Sequence, residues 1–190
     1  MHAFKQSLLA LIVTTAAHGA IAETLSYQLD PVHSQVHASV NHMGFSHSMA
    51  RFAVKEGTIV ADADDLTGAK VSVVMAAQPI LGDSTWEEHT AAEGWFDLAN
   101  HAEIRFESTA VRHVAGDQYE VDGDLTLKGV TKPVTLKATL NQAGPHPFSK
   151  KPRLGLSATA ELSRSAYGVS ATPVVGDEVQ VRIEVEAGAD

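Results

Sequence analysis

The chain contains no cysteine among its 190 residues. Disulfide bridges, zinc–thiolate sites, iron–sulfur clusters and thiol nucleophiles are therefore excluded by composition. An exported protein without disulfides is held together by its core and its backbone pairing alone, which favours a closed sheet over a small loop-rich scaffold.

Positive charge is scarce, with 14 basic against 23 acidic residues and a net charge of −9. An acidic protein repels phosphate backbones and anionic lipid headgroups. We therefore expect no nucleic-acid partner and no electrostatic adhesion to a membrane.

Motifs for catalysis are also missing. Residues 44–48 and 155–159 each lack the final glycine of a nucleophile elbow, and no glycine-rich phosphate loop is present. The histidines show no metal-ligand spacing: His33 and His37 share a strand face, but four residues separate them, about 13 Å along a strand. We predict that the protein is not an enzyme and holds no metal, although a histidine site formed across strands stays open.

The N-terminus has the features of a secretory signal peptide. Lys5 precedes a short apolar run at residues 8–13, and Ala20 and Ala22 supply the small residues that a signal peptidase reads. The run is shorter than the roughly 20 residues that span a bilayer. We predict cleavage after Ala22, one domain over residues 23–190, a periplasmic location and no stable membrane insertion.

Alternation of apolar and polar residues dominates the remaining chain and indicates strands. The spacing predicts strands at 25–29, 33–42, 49–55, 57–61, 69–77, 103–114, 118–127, 134–140, 153–162 and 178–186. Thr85 and Glu88 form a capping-box pattern, which predicts one short helix over 85–93, and a further helical turn is expected near 97–101. Residues 141–152 read as a loop. The pattern is all-β and leaves a sandwich and a closed barrel open.

Ordered motifs along the chain resemble the YceI family of periplasmic, lipocalin-like proteins. They are Tyr27-x-x-Asp30-x-x-His33-Ser34-x-Val36, His42-Met43-Gly44-Phe45-Ser46, Trp95-Phe96-Asp97, Ile104-x-Phe106-x-Ser108-Thr109, Gly123-Asp124-Leu125-Thr126-Leu127-Lys128-Gly129-Val130-Thr131-Lys132-Pro133-Val134, Arg164-Ser165-Ala166-Tyr167-Gly168 and Gly176-Asp177-Glu178-Val179. The resemblance implies an antiparallel eight-stranded lipocalin-like barrel with one short helix and an elongated apolar cavity. It also implies that the barrel binds polyisoprenoids, isoprenoid quinones or fatty amide-like chains, with no catalytic residues.

Two positions depart from the family pattern. Trp86-Glu87-Glu88-His89 stands where the family usually has Arg-Asp-x-His, and Ala38 stands where it often has an aromatic residue. The first change removes a possible donor to a polar head group. The second would widen a cavity if Ala38 points inward.

The predicted ligand-binding residues combine small and aliphatic strand residues with aromatic residues near loops. They are Val36, Ala38, Val40, His42, Met43, Phe45, Phe52, Trp86, His89, Trp95, Phe96, Phe106, Leu125, Leu127 and Tyr167. His42 and His89 are the candidates for contacting a polar head group, with a structural role bonded to backbone as the alternative. The residues by themselves fit a solid core as well as a cavity.

These features together predict a carrier that sequesters a long isoprenoid-like lipid, polyprenyl or quinone, as a non-covalent ligand and without a covalent cofactor. Two alternatives remain open at this level. One is an accessory partner of a membrane quinone or cytochrome redox system. The other is a stress-related interaction protein with a filled core. The sequence also leaves a homodimer open.

Overall fold

The computed structural model describes residues 23–170 and 173–190. The predicted signal peptide, residues 1–22, lies outside the described residues. The elements in chain order are β1 (Thr24–Leu29), β2 (Gln35–His42), β3 (Ser46–Asp62), β4 (Asp65–Ile80), α1 (Ser84–Thr90), β5 (Glu103–Ala115), β6 (Gln118–Leu127), β7 (Val130–Pro145), β8 (Pro152–Ser163), a 3-10 turn (Ser165–Tyr167) and β9 (Val175–Gly188). No helix in the described part of the chain is long and apolar enough to cross a bilayer.

All strand pairs are antiparallel, and the sheet closes on itself. The order runs β3-β2-β9-β8-β7-β6-β5-β4, and β4 pairs back onto β3. β1 pairs with the second half of β3 and with the end of β9. β1 and β2 thus share one position between β3 and β9, so nine strands fill eight positions of a barrel, as the resemblance implied.

The break between β1 and β2 is built by Asp30. Its Oδ1 accepts hydrogen bonds from the backbone N–H of Val32 at 2.9 Å and of His33 at 3.3 Å. Such a side-chain-to-backbone turn competes with ladder pairing and lets the chain step out of the sheet. Ser34 then returns the chain to the wall by donating from Oγ to the carbonyl of Glu186 at 3.2 Å.

Three sequence-based boundaries are wrong. Residues 49–55 and 57–61 belong to one strand, β3, because Gly57 continues the ladder opposite Val73. Half of the predicted loop at 141–152 is strand, since β7 extends to Pro145 and β8 begins at Pro152. Helix α1 is capped by Asp83, whose side chain accepts from Trp86 N, so the Thr85–Glu88 capping box does not form.

The two ends of the barrel differ. The helix end carries α1 within the connection 81–102, the turn at 43–45, the turn at 128–129 and residues 164–170 after β8. The far end carries the turns at 63–64 and 116–117 and the loop at 146–151. Toward the far end the interior is packed solid by side chains that include Tyr27, Leu66, Tyr119, Leu154 and Ala187.

Candidate ligand-binding cavity

The helix-end half of the barrel contains a cavity on the side of β2, β9, β8 and the start of β7. Its volume is about 890 Å³, within the roughly 300–1,000 Å³ typical of ligand pockets. From inside, the apolar part of its lining is Ala38, Val134, Ala160, Leu162, Ala166, Tyr167 and Val181, and Met49 and Pro133 add to it at the outer edge. Polar and charged residues, among them Lys132, Lys137, Glu161 and Arg182, complete the lining.

Small side chains on the inner face create this space. Val181 of β9 lies directly opposite Ala38 of β2 on one side and opposite Ala160 of β8 on the other. Residues directly opposite in an antiparallel ladder point to the same face. Two alanines in one row therefore leave room that larger side chains would fill, and all three residues stay half-buried.

The wall beside the cavity is open between β7 and β8. Their pairing runs from Pro145–Pro152 up to Lys137–Thr159 and ends there. Beyond that point residues 130–136 pair with β6, and residues 160–163 pair with β9. Outward residues Thr135, Glu161 and Ser163 line the same cavity as the inward Val134 and Leu162. The cavity consequently reaches the outside through this gap in the wall.

Two polar side chains reach into the apolar lining from inside. Lys132 pairs with Leu125, a core residue, so it shares the inner face of the barrel. Tyr167, only 3% exposed, closes the cavity at the helix end. Burial raises the pKa of the Tyr167 phenol above its ordinary value, so the hydroxyl stays protonated and remains a donor at neutral pH.

The connection 81–102 covers the helix end. Phe96 packs on the inward ring of Phe52, with ring centroids 5.6 Å apart in an edge-to-face arrangement. His89 lies between Trp86 at 5.5 Å and Trp95 at 5.9 Å, also edge to face. Such aromatic pairs add stability beyond their buried area, so the Phe52–Phe96 contact fixes the connection 81–102 to the barrel, and the His89 contacts hold the connection itself together.

Two cations hold the connections of the helix end together. Lys128 Nζ donates to the carbonyl of Gly168 at 2.8 Å and to that of Glu93, which joins the two long connections. Arg164 donates to the carbonyls of Val169 at 2.7 Å, Val175 at 2.8 Å and Gly176 at 2.8 Å. These bonds satisfy backbone groups where no ladder is available.

Of the predicted ligand-binding residues, Ala38 and Tyr167 line the cavity. Ala38 thus widens the space where the family often has an aromatic residue. Phe52, Phe106, Leu125 and Leu127 are buried in the core, and Val36, Trp95 and Phe96 pack against it.

The other predicted residues lie outside the cavity lining, and their role in binding stays a prediction. Val40 and His42 continue the inner face of β2 toward the helix end, opposite Ser48 and Ser46. Met43, Trp86 and Phe45 are exposed, Phe45 to 88%. His89 contacts the two tryptophans. The polar groups that do line the cavity from the inner face are Lys132 and Tyr167.

Lys132 was missed because the segment 128–133 reads as a turn and the start of a strand. The signal was nevertheless present. Val130, Lys132, Val134 and Leu136 alternate with polar residues or proline, and period two places all four on one face. Among residues 23–170 and 173–190 no group of three metal-capable side chains converges.

The closed sheet, the packed far end and the cavity at the helix end define a lipocalin-like barrel. The chain belongs to the YceI family: the YceI-like domain model matches residues 27–187. A UPF0312 protein of Pseudomonas putida (strain W619) is 30% identical over 186 residues, covering 96% of both chains.

Solved structures share the fold. BcnA of Burkholderia cenocepacia is similar with a TM-score of 0.72 at 23% identity, covering 83% of this chain and 98% of its own. A polyisoprenoid binding domain from Saccharophagus degradans has a TM-score of 0.68 at 15% identity, covering 87% of this chain and 99% of its own.

Proposed function

We propose that this protein is a periplasmic carrier that sequesters a long isoprenoid-like lipid, a polyprenyl chain or an isoprenoid quinone, inside the barrel. The observation that carries the proposal is the apolar cavity of about 890 Å³ in one half of an otherwise packed barrel. The inner-face part of the lining is mostly aliphatic, and the opening lies in the wall between β7 and β8, where polar and charged residues such as Lys137 and Glu161 line it.

The energetics favour an apolar chain as the occupant. Burial of one methylene contributes about 0.8 kcal/mol, so one five-carbon isoprene unit contributes on the order of 4 kcal/mol before costs. A few buried units offset the entropy lost on association. Selectivity for chain length is weak, because one methylene changes binding by only about 1–3 kcal/mol.

The fold relatives support the same class of ligand. The Saccharophagus degradans domain is a polyisoprenoid binding domain with this barrel fold. The predicted signal peptide supports export, and an exported carrier would shield an apolar chain from water between membranes. We assign binding and transport to the barrel, with no chemical step.

Native mass spectrometry of the protein, secreted with its own leader and purified without detergent, tests the proposal. We expect an added mass of a few hundred daltons that organic solvent removes and whose identity lipid analysis gives. The matched variant Ala160→Trp places a large ring in the cavity and should lose the added mass while keeping the fold.

Two outcomes would contradict the proposal. One is a lipid-free protein that also fails to take up any prenyl chain offered to it. The other is a lipid that stays bound in Ala160→Trp, which would place it outside the cavity. A lipid-free protein that co-purifies with a membrane oxidoreductase would support the accessory redox role instead.

A further inference from the structure

Lys132 is a cation on the inner wall of an apolar cavity. Its neighbours on the same face of β7 are Val130 and Val134, and its partner across the ladder is the core residue Leu125. The side chain is half-buried and lines the cavity. A lysine in this position is unusual because an ammonium group is strongly hydrated and its transfer to an apolar environment is costly.

The Lys132 ammonium has no counter-ion within the described residues. None of the ion pairs among the described residues includes Lys132. Asp124, the acid nearest along the β6–β7 ladder, is opposite Pro133 and therefore faces outward. Glu161, the acid in the cavity lining, lies on the outward face of β8 and forms no ion pair with Lys132. The charge of Lys132 is thus free to interact with a group that enters the cavity.

Tyr167 adds a second donor to the same cavity. The residue is 3% exposed and lines the cavity together with Lys132. Its hydroxyl makes no hydrogen bond to any part of the chain that the structure describes. No fully buried side-chain polar atom in that part of the chain lacks a partner, so the hydroxyl is open to the cavity rather than enclosed in the core. The Lys132 ammonium on β7 and the Tyr167 phenol on the 3-10 turn, neither bonded to another described residue, therefore offer two donors to an oxygen-rich group in one cavity.

We propose that Lys132 and Tyr167 bind the acidic head group of the ligand, a phosphate or a carboxylate, while the apolar chain fills the rest of the cavity. This inference rests on the proposed function and specifies its ligand as an anionic amphiphile. Ammonium-to-anion hydrogen bonds are about twice as strong as neutral ones. Because the chain as a whole carries a net charge of −9, a preference for an anion must come from local charges. Lys137 and Arg182 also line the cavity but belong to the outward face, whereas Lys132 and Tyr167 lie on its inner side.

The gap between β7 and β8 makes Lys132 accessible from outside the barrel. Lys132 lies on the stretch of β7 that has lost its β8 partner, and Thr135 and Glu161 line the cavity at the outer edge of the gap. A head group held by Lys132 can retain part of its water through this opening. Partial hydration lowers the cost of bringing an anion into the barrel.

Binding of lipid pairs that differ only in the head group tests the inference. The probes are geranylgeranyl monophosphate against geranylgeraniol, and oleate against oleyl alcohol, measured by isothermal titration calorimetry. The wild-type protein should bind each acid at least tenfold more tightly than its alcohol. Lys132→Met should lower the affinity for each acid by about 10- to 100-fold and leave the alcohols unchanged.

Three further variants make the result specific. Lys132→Arg should keep most of the preference for acids, and Tyr167→Phe should reduce it by a smaller factor. Lys70→Met removes the same charge from an exposed position of β4 and should have no effect. If only the phosphate or only the carboxylate responds to Lys132→Met, that acid is the head-group class that the site selects.

The outcomes separate this inference from the proposed function. Tight binding of acids and alcohols alike, unchanged in Lys132→Met, would overturn the head-group site and leave the carrier function standing. A loss in Lys70→Met equal to that in Lys132→Met would overturn it as well, because general electrostatics would then be the cause. Failure of the wild-type protein to bind any of the four lipids would overturn both.

Discussion

Gly123 of β6 lies directly beneath the ring of Phe106 on β5. A Cβ atom at Gly123 would lie 2.6 Å from Phe106 Cε2 and 2.6 Å from the carbonyl oxygen of Glu107. Phe106 therefore occupies the space that any larger residue at 123 would need, and it does so in the packed part of the barrel. The glycine is required here for close packing.

Gly123→Ala should therefore destabilise the protein by about 1–3 kcal/mol, the cost typical of overpacking. The matched control is Gly155→Ala on β8, where the nearest atom to a new Cβ is the Gln142 carbonyl oxygen at 3.9 Å. That control should be neutral or slightly stabilising. Urea denaturation measures the free energy of unfolding of both variants. Equal stabilities would contradict the close packing of Phe106 on Gly123.

Ala38→Trp tests whether the helix-end half is hollow. Ala38 lines the cavity and is half-buried, so the indole should fit with little loss of stability while lipid capacity falls. Ala61→Trp is the control, since Ala61 is 3% exposed within the packed core and the same change there should cost about 1–3 kcal/mol or more. Thermal unfolding with and without bound lipid gives both quantities. A filled barrel would make the two variants equally destabilised.

Lys128→Met tests the link between the two connections at the helix end. Without the bonds from Lys128 Nζ to Gly168 O and Glu93 O, the connection 81–102 and residues 164–170 should open more often. Hydrogen exchange should rise there and stay unchanged in β5 and β6, because local opening follows local bonding. Lys137→Met, an outward change on β7, serves as the control. Uniform exchange rates in wild type and Lys128→Met would show that the link is dispensable.

The turn at Asp30 predicts a pH-dependent contribution to stability. His33 Nδ1 lies 2.8 Å from Asp30 Oδ2. The hydrogen bond to the Asp30 carboxylate raises the pKa of His33 above its ordinary value of about 6.5. The same bond, with the backbone N–H groups of Val32 and His33, lowers the pKa of Asp30.

The sign of each effect fixes the pH window. The His33 contribution is fully present below about pH 6.5 and is lost as pH rises through the raised pKa. The Asp30 contribution is present above about pH 3.9 and is lost as pH falls through the lowered pKa. An NMR titration should show the His33 pKa falling in Asp30→Asn and falling less in Glu186→Gln, a weaker neighbour. An unchanged His33 pKa in Asp30→Asn would contradict the assignment of the raised pKa to the Asp30 carboxylate.

Much of the fold follows from local pattern. Strand β6 runs from Gln118 to Leu127 in the structure as the alternation predicts, because its buried and exposed residues alternate without interruption. The predicted element boundaries are wrong where a residue type is compatible with two local structures. Gly57 looks like a break between two strands, but it is part of β3. A glycine is needed at this position because a Cβ atom there would lie 2.8 Å from Leu29 Cδ2. Asp83 and Thr85 are both good helix caps, and the choice between them depends on the connection that precedes α1.

The cavity could be predicted only in part. Alternation places Ala38 and Lys132 on the inner face. Whether space remains beside them depends on what lies opposite in other strands and on where the β7–β8 ladder ends. Those facts join residues far apart in the chain, such as Ala38 with Val181 and Lys137 with Thr159, and no local pattern contains them.

A crystal structure of the exported protein, purified without detergent, tests the central claim most directly. We predict continuous elongated density along Ala38, Ala160 and Val181 that ends in a head group beside Lys132 and Tyr167. The contrary result is a cavity closed by the chain itself, with β7 and β8 paired through Val134 and Leu162 and no density inside. That result would contradict a lipid-carrying barrel.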